Sequence, residues 1–124
     1  MNSVLIVEDE IELNKMISNH IKELGLSVDT AYTAEEGLQK IATKNFALVV
    51  SDIRMPGLDG LQMMRKVLCG PGTHPTFFIM SGYSDYPLEQ VIDLGAAQFF
   101  EKPSGLINLF EQVQAFFTRR HANM

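Results

Sequence analysis

The sequence predicts an α/β fold, a doubly wound five-stranded parallel sheet with helices on both faces. Three observations carry this expectation. Short apolar runs rich in β-branched and aromatic residues alternate with longer stretches of helical period, and the alternation repeats five times over 124 residues. No linker, internal repeat or low-complexity tract interrupts it. Parallel neighbours need crossovers, and right-handed helical crossovers lay helices on both faces of the sheet.

The first strand candidate is Ser3 to Val7 (SVLIV), a continuous apolar run of the kind buried on both faces. A helix follows from Ile11 to Leu24. At 100° per residue Leu13, Met16, Ile17, Ile21 and Leu24 fall in one sector, with Gly25 placed to end it. Leu26 to Ala31 (LSVDTA) alternates, as an edge strand with one wet face would. Thr33 to Glu36 reads as a capping box, the Thr33 hydroxyl taking a backbone N–H while Glu36 reaches back, and it opens a helix to about Lys44. Phe46 to Ser51 (FALVVS) is the third strand and Gly60 to Leu68 a short helix. Thr76 to Met80 (TFFIM) is the fourth strand. Pro87 to Leu94 is a second short helix, with Pro in its first turn and Gly95 at its end. Ala97 to Phe100 (AQFF) is the fifth strand, and the last helix runs from about Leu106 to Arg119. In that helix Leu106, Leu109, Phe110, Val113, Phe116 and Phe117 share a sector about 120° wide, leaving Ile107 off it.

Composition bounds the function. Hydrophobic residues make up 46% of the chain, enough for a packed core, and the length suits one domain, residues 1–124. Ten Lys and Arg against 15 Asp and Glu give a net charge of −5, with no basic footprint for direct binding of nucleic acid or of an anionic membrane. No apolar run approaches the roughly 20 residues of a spanning helix, and none near Met1 reads as a signal peptide. A single cysteine, Cys69, forms no internal disulfide, so the reducing cytoplasm is the expected compartment.

In a doubly wound sheet the site lies beyond the carboxyl ends of the strands. There the sequence puts Glu8 and Asp9 after the first strand and Asp52 after the third. Ser81 follows the fourth, and Lys102, then Pro103, the fifth. Three carboxylates close together repel one another and call for protons or a cation. A hard divalent ion suits them, Mg²⁺ best and Mn²⁺ next, since it is satisfied by a few carboxylates, a carbonyl and retained waters. An Asp can be a covalent nucleophile toward a phosphoryl group, while an ammonium and a hydroxyl stabilise its equatorial oxygens.

At these residues the sequence resembles the receiver domains of bacterial two-component response regulators, over essentially its whole length. The matching elements are VLIVEDE at Val4 to Glu10, LVVSDIRMPGLDG at Leu48 to Gly60, FIMSGY at Phe78 to Tyr83 and GAAQFFEKP at Gly95 to Pro103. The resemblance implies a flavodoxin-like strand order 2-1-3-4-5, with Asp52 as phosphoacceptor. It makes Glu8, Asp9, Asp52 and the backbone carbonyl of Arg54 the Mg²⁺ ligands. Ser81 becomes the switch hydroxyl, Phe99 the switch aromatic, and Lys102 the lysine that meets the phosphoryl group, beside a cis Lys102–Pro103 bond. On the same resemblance Arg54 and Tyr83, two residues after Asp52 and Ser81, would flank the path of attacking water and tune phosphoryl lifetime.

The implied partners are a histidine kinase or histidine phosphotransfer protein. An output protein or domain is expected on the face made by the fourth helix, fifth strand and fifth helix, where a phosphorylation-dependent homodimer would also form. No enzyme activity is implied beyond phosphorylation and dephosphorylation of Asp52 itself. The departures are mild: Glu-Asp for the frequent Asp-Asp, Ser81 for Thr, and Phe99 for Tyr, so that its inward state rests on packing alone.

Other readings of the same residues are weaker. A flavin site would need a Ser/Thr/Gly-rich loop after the first strand, where Glu8-Asp9-Glu10 would repel a phosphate. A Mg²⁺-dependent aspartyl-phosphate phosphohydrolase typically carries a second Asp where this chain has Arg54, and needs more enclosing structure. A receiver that serves as an unphosphorylated scaffold would not need the full residue set; the N-terminal receiver of a longer transcriptional regulator or hybrid kinase would. His20 falls within the apolar sector of the first helix and reads as a packed or half-buried histidine, not as an exposed phosphodonor. Cys69 reads as a small packing residue.

Overall fold

The computed structural model describes residues 2–82 and 86–122. Five strands and five helices alternate: β1 (Ser3–Val7), α1 (Ile11–Glu23), β2 (Ser27–Ala31), α2 (Ala34–Thr43), β3 (Leu48–Asp52), α3 (Gly60–Leu68), β4 (Thr76–Ser81), α4 (Leu88–Asp93), β5 (Gln98–Glu101) and α5 (Leu106–Ala122). All strand pairs are parallel and the order is β2-β1-β3-β4-β5. This is the expected doubly wound sheet.

The core is split by the sheet into two clusters, as strand geometry requires when successive side chains point to opposite faces. On one face Leu5, Val7, Val49, Phe77 and Ile79 pack with Leu61, Met63 and Met64 of α3 and Val91 of α4. On the other, Val4, Ile6, Val50, Phe78 and Met80 pack with Ile17 and Ile21 of α1 and Leu109, Val113 and Phe117 of α5. The α5 stripe is therefore core-facing, and Ile107, left off it by periodicity, is 74% exposed.

Several local expectations are corrected. Residues 46 and 47 precede β3, and Asp52 and Ser81 are the last residues of their strands, not the first beyond them. The Thr33 hydroxyl accepts the Glu36 N–H at 3.0 Å as expected, but Glu36 reaches back to the N–H of Tyr32 at 2.7 Å instead of that of Thr33. Cys69 is exposed, as the C-cap of α3 where the helix ends and the chain turns.

The largest correction concerns α1. Its buried residues are Asn14, Ile17, Ser18 and Ile21, a spacing of i, i+3, i+4, i+7. The true inner face is turned by roughly 80° from the sector that the apolar residues mark, at 100° per residue. Met16 is consequently 44% exposed, and His20 is exposed as well, stacked on Phe110 of α5 with ring centroids 3.8 Å apart. Two polar side chains go inside because each finds its hydrogen bonds there.

Candidate functional site

Strand register brings the expected residues together. Val7 lies beside Ser51, so Glu8, the next residue, comes level with Asp52. Asp52 lies beside Met80, which puts Ser81 one residue further out on β4. Ser81 pairs with Glu101, and the Lys102 N–H donates to the Ser81 carbonyl at 2.9 Å. Four chain segments therefore end at one rim, over which a cleft of about 610 Å³ is lined by Asp9, Leu13, Asp52, Arg54, Lys102 and Pro103.

Within that rim Glu8, Asp9 and Asp52 each offer a carboxylate oxygen, and these oxygens lie within 4.8 Å of one another. Glu8 is fully buried, Asp52 5% exposed and Asp9 half-buried. The Lys102 ammonium stands 2.7 Å from Glu8 Oε1 and 3.2 Å from Asp52 Oδ2. The second Glu8 oxygen accepts the Glu10 N–H at 3.1 Å, and Asp52 Oδ1 accepts the Ile53 N–H at 2.9 Å. Ser81 is buried, Arg54 is exposed at the mouth, and Phe99 is half-buried against the α2–α4 face of the core. The Lys102–Pro103 peptide is cis. Tyr83 lies outside the described residues.

Burial sets the protonation behaviour. It pushes the Glu8 carboxyl from 4.5 up to about 7, against the Lys102 hydrogen bond, with the nearby Asp52 charge adding to the rise. Burial raises Asp52 also, opposed by Lys102 and the Ile53 N–H. For Lys102 burial acts downward, but the Glu8 hydrogen bond and the charges of Asp52 and Glu8 outweigh it and the ammonium is held above its usual range. Three carboxylates against one ammonium leave two negative charges when all are ionised. That donor set, hard oxygens with a deficit of two, fits a small divalent cation.

Two residues that shape the rim carried no role in the sequence. Gly60 begins α3 with its N–H on the Ile53 carbonyl at 2.8 Å, and a Cβ there would stand 1.9 Å from the Asp52 carbonyl oxygen. Its signal was present in the Asp59-Gly60 pair but reads equally as a plain turn. Asn14 is wholly buried and ties α1 to the carbonyl of Glu8 at 2.9 Å. Its signal, the spacing 14, 17, 18, 21, was hidden because two of those four side chains are polar.

Comparison with known proteins agrees with this geometry. Residues 4–114 match the family model of the response regulator receiver domain. The chain is 30% identical over 120 residues to the response regulator ArlR of Staphylococcus haemolyticus, covering 97% of this chain and 54% of that protein. It thus spans about half the length of that relative. Among solved structures it resembles a CheY-like response regulator receiver domain protein of Methanospirillum hungatei, with TM-score 0.83 and 26% identity over 100% of this chain and 99% of the other. It also resembles the response regulator protein TrrA of Thermotoga maritima in complex with Mg(2+)-BeF, with TM-score 0.77 and 27% identity over 94% and 99% of the two chains. Among the described residues no helix is long and apolar enough to cross a membrane.

Proposed function

The chain belongs to the response regulator receiver domain family, and we propose that it works as a phosphorylation-activated switch with Asp52 as phosphoacceptor. The observation that carries this reading is that Asp52 lines an open cleft with its carboxylate beside those of Glu8 and Asp9, while the Lys102 ammonium bridges Glu8 and Asp52. A cleft of that kind admits the phosphohistidine of a partner kinase or phosphotransfer protein.

Glu8, Asp9, Asp52 and the Arg54 carbonyl are the residues that would hold Mg²⁺, or Mn²⁺ in its place. When bound, the ion supplies positive charge at the transferring phosphoryl group. An Asp52 carboxylate oxygen forms the new P–O bond as the P–N bond of the donor breaks, and the electron pair passes to the imidazole nitrogen. The Ile53 N–H orients the carboxylate from Oδ1. Lys102, 3.2 Å from Oδ2, donates to a phosphoryl oxygen after transfer, exchanging part of its contact with Glu8. The Ser81 hydroxyl takes another phosphoryl oxygen, and Phe99 packs inward behind it, altering the face made by α4, β5 and α5 on which an output partner or a second copy would dock. Arg54 and Tyr83 tune the lifetime of the acyl phosphate.

Incubation with acetyl phosphate and Mg²⁺ followed by intact-mass measurement tests the assignment. The wild type gains one phosphoryl group; Asp52→Asn gains none, and chelation of the metal abolishes the gain. An unmodified wild type, or a phosphorylated Asp52→Asn, removes Asp52 from this role.

A further inference from the structure

We propose that Asn14 is a positioning residue for the acidic pair, setting the backbone of Glu8 and Asp9 so that their carboxylates meet a Mg²⁺ ion; the inference rests on the metal-binding role proposed above. Asn14 is fully buried near the start of α1, and every polar atom of its side chain is committed. Nδ2 donates to the Glu8 carbonyl at 2.9 Å and to the Ala31 carbonyl at 3.0 Å. Oδ1 accepts the Ser18 hydroxyl at 3.1 Å, and the Asn14 backbone N–H donates to the Glu10 carbonyl at 2.8 Å. The carbonyls on either side of Asp9 therefore both end on Asn14, one through its side chain and one through its main chain.

The site needs such a tie. Strand β1 ends at Val7, so the Glu8 carbonyl lies past the parallel ladder. The Ala31 carbonyl receives the Glu8 N–H at 3.1 Å and the Asn14 amide together, which joins the ends of β1 and β2 to the first turns of α1. Only an amide places two N–H donors and one acceptor within that volume; Asp offers no donor and Leu neither. Mg²⁺ demands near-ideal octahedral geometry at short distances, whereas Ca²⁺ tolerates loose and variable coordination. Groups that orient metal ligands are commonly worth 10- to 100-fold in affinity. Freeing the Glu8–Asp9 backbone should thus weaken Mg²⁺ more than Ca²⁺, a selectivity change that general loss of stability does not produce.

The test is calorimetric titration of the 124-residue chain and its variants with Mg²⁺ and with Ca²⁺. Asn14→Ala is expected to weaken Mg²⁺ by about 10-fold and to lower the Mg²⁺/Ca²⁺ affinity ratio. Ser18→Ala removes a buried hydrogen bond from the same cluster but leaves both carbonyl contacts, so its ratio should stay within about twofold of wild type on the same ground. Equal ratios for Asn14→Ala and wild type, or the same fall in Ser18→Ala, would overturn the positioning role. Should Asn14→Ala fail to fold, the wild type answers by NMR: saturating Mg²⁺ should move the Asn14 side-chain amide signals together with the Asp9 amide, and an unmoved side chain overturns the inference. A wild type that binds no Mg²⁺ defeats the metal reading itself, whereas a wild type that binds it beside an indifferent Asn14→Ala defeats this inference alone.

Discussion

Helices α1 and α4 both serve strands that end at the site, yet they are held very differently. In α1, 13 residues long, Asn14, Ile17, Ser18 and Ile21 are buried, and the first of these fastens the Glu8 carbonyl. In α4, six residues long, Val91 is buried while Leu88 and Ile92 are 56% and 38% exposed. Neither Glu10 of α1 nor Pro87 of α4 caps its helix through a side chain, so length and packing make the difference. Helices this short have little stability of their own and depend on packing. Glu8 and Asp9 thus adjoin a helix anchored by four buried side chains, whereas α4 rests on less buried surface and is expected to rearrange at smaller cost. For the proposed switch the division is apt: ligand geometry must not drift, whereas an output face has to change.

The largest break in this contrast should come from Gly60→Ala on the side of the acidic residues. The added Cβ would meet the Asp52 carbonyl at 1.9 Å, and backbone cannot yield as a flexible side chain would. A loss of more than about 4 kcal/mol is expected, in the tail of single-substitution effects, read as a lowered urea midpoint. A loss under about 1 kcal/mol would show that β3 and α3 separate readily.

A matched pair measures the contrast itself. Ile17→Ala empties a fully buried position on α1 and should cost about 3 kcal/mol. Leu88→Ala on α4 should stay within about 0.5 kcal/mol, as exposed positions do. Equal losses in urea titrations would mean that α4 is as firmly docked as α1.

The pH response is smaller, because Lys102 offsets part of what burial does to its neighbours. Glu8 in the folded chain titrates at about 7, above its ordinary 4.5, so between those values the folded state holds a proton that the unfolded state has released. Stability of the metal-free protein should fall as pH rises through that window, and Asp52, raised from 3.8, acts in the same direction. Lys102, raised above 10.5, contributes stability that is lost only when pH climbs past that value. Urea midpoints at pH 5 and pH 7.5 without metal should therefore show the higher value at pH 5, and saturating Mg²⁺ should shrink the difference by favouring the ionised carboxylates. A metal-free midpoint that is higher at pH 7.5 would contradict the burial argument.

Much of this was legible in the order of residues. The alternation of apolar runs with helical periods determined the parallel sheet, since period and run length are local properties that tertiary context has little room to overrule. The α5 stripe follows from periodicity for the same reason: its six apolar side chains share one sector, and Ile107, which falls outside it, is exposed. Glu8, Asp9, Asp52, Ser81 and Lys102 could be assembled because strand ends in this fold share one rim, whatever the loops between them do.

Contacts between segments distant in the chain were not legible. Periodicity weighs a side chain by its own polarity, and so it turned α1 by roughly 80°, taking Met16 for core and passing over Asn14 and Ser18. His20 was placed by Phe110, ninety residues away, and Gly60 acquires its meaning only beside the Asp52 carbonyl. The sequence by itself determined the fold, the rim and the chemical identity of the groups on it. Only the tertiary structure decided which polar residues could go inside, because whether a buried amide is stable depends on partners that the local sequence does not contain.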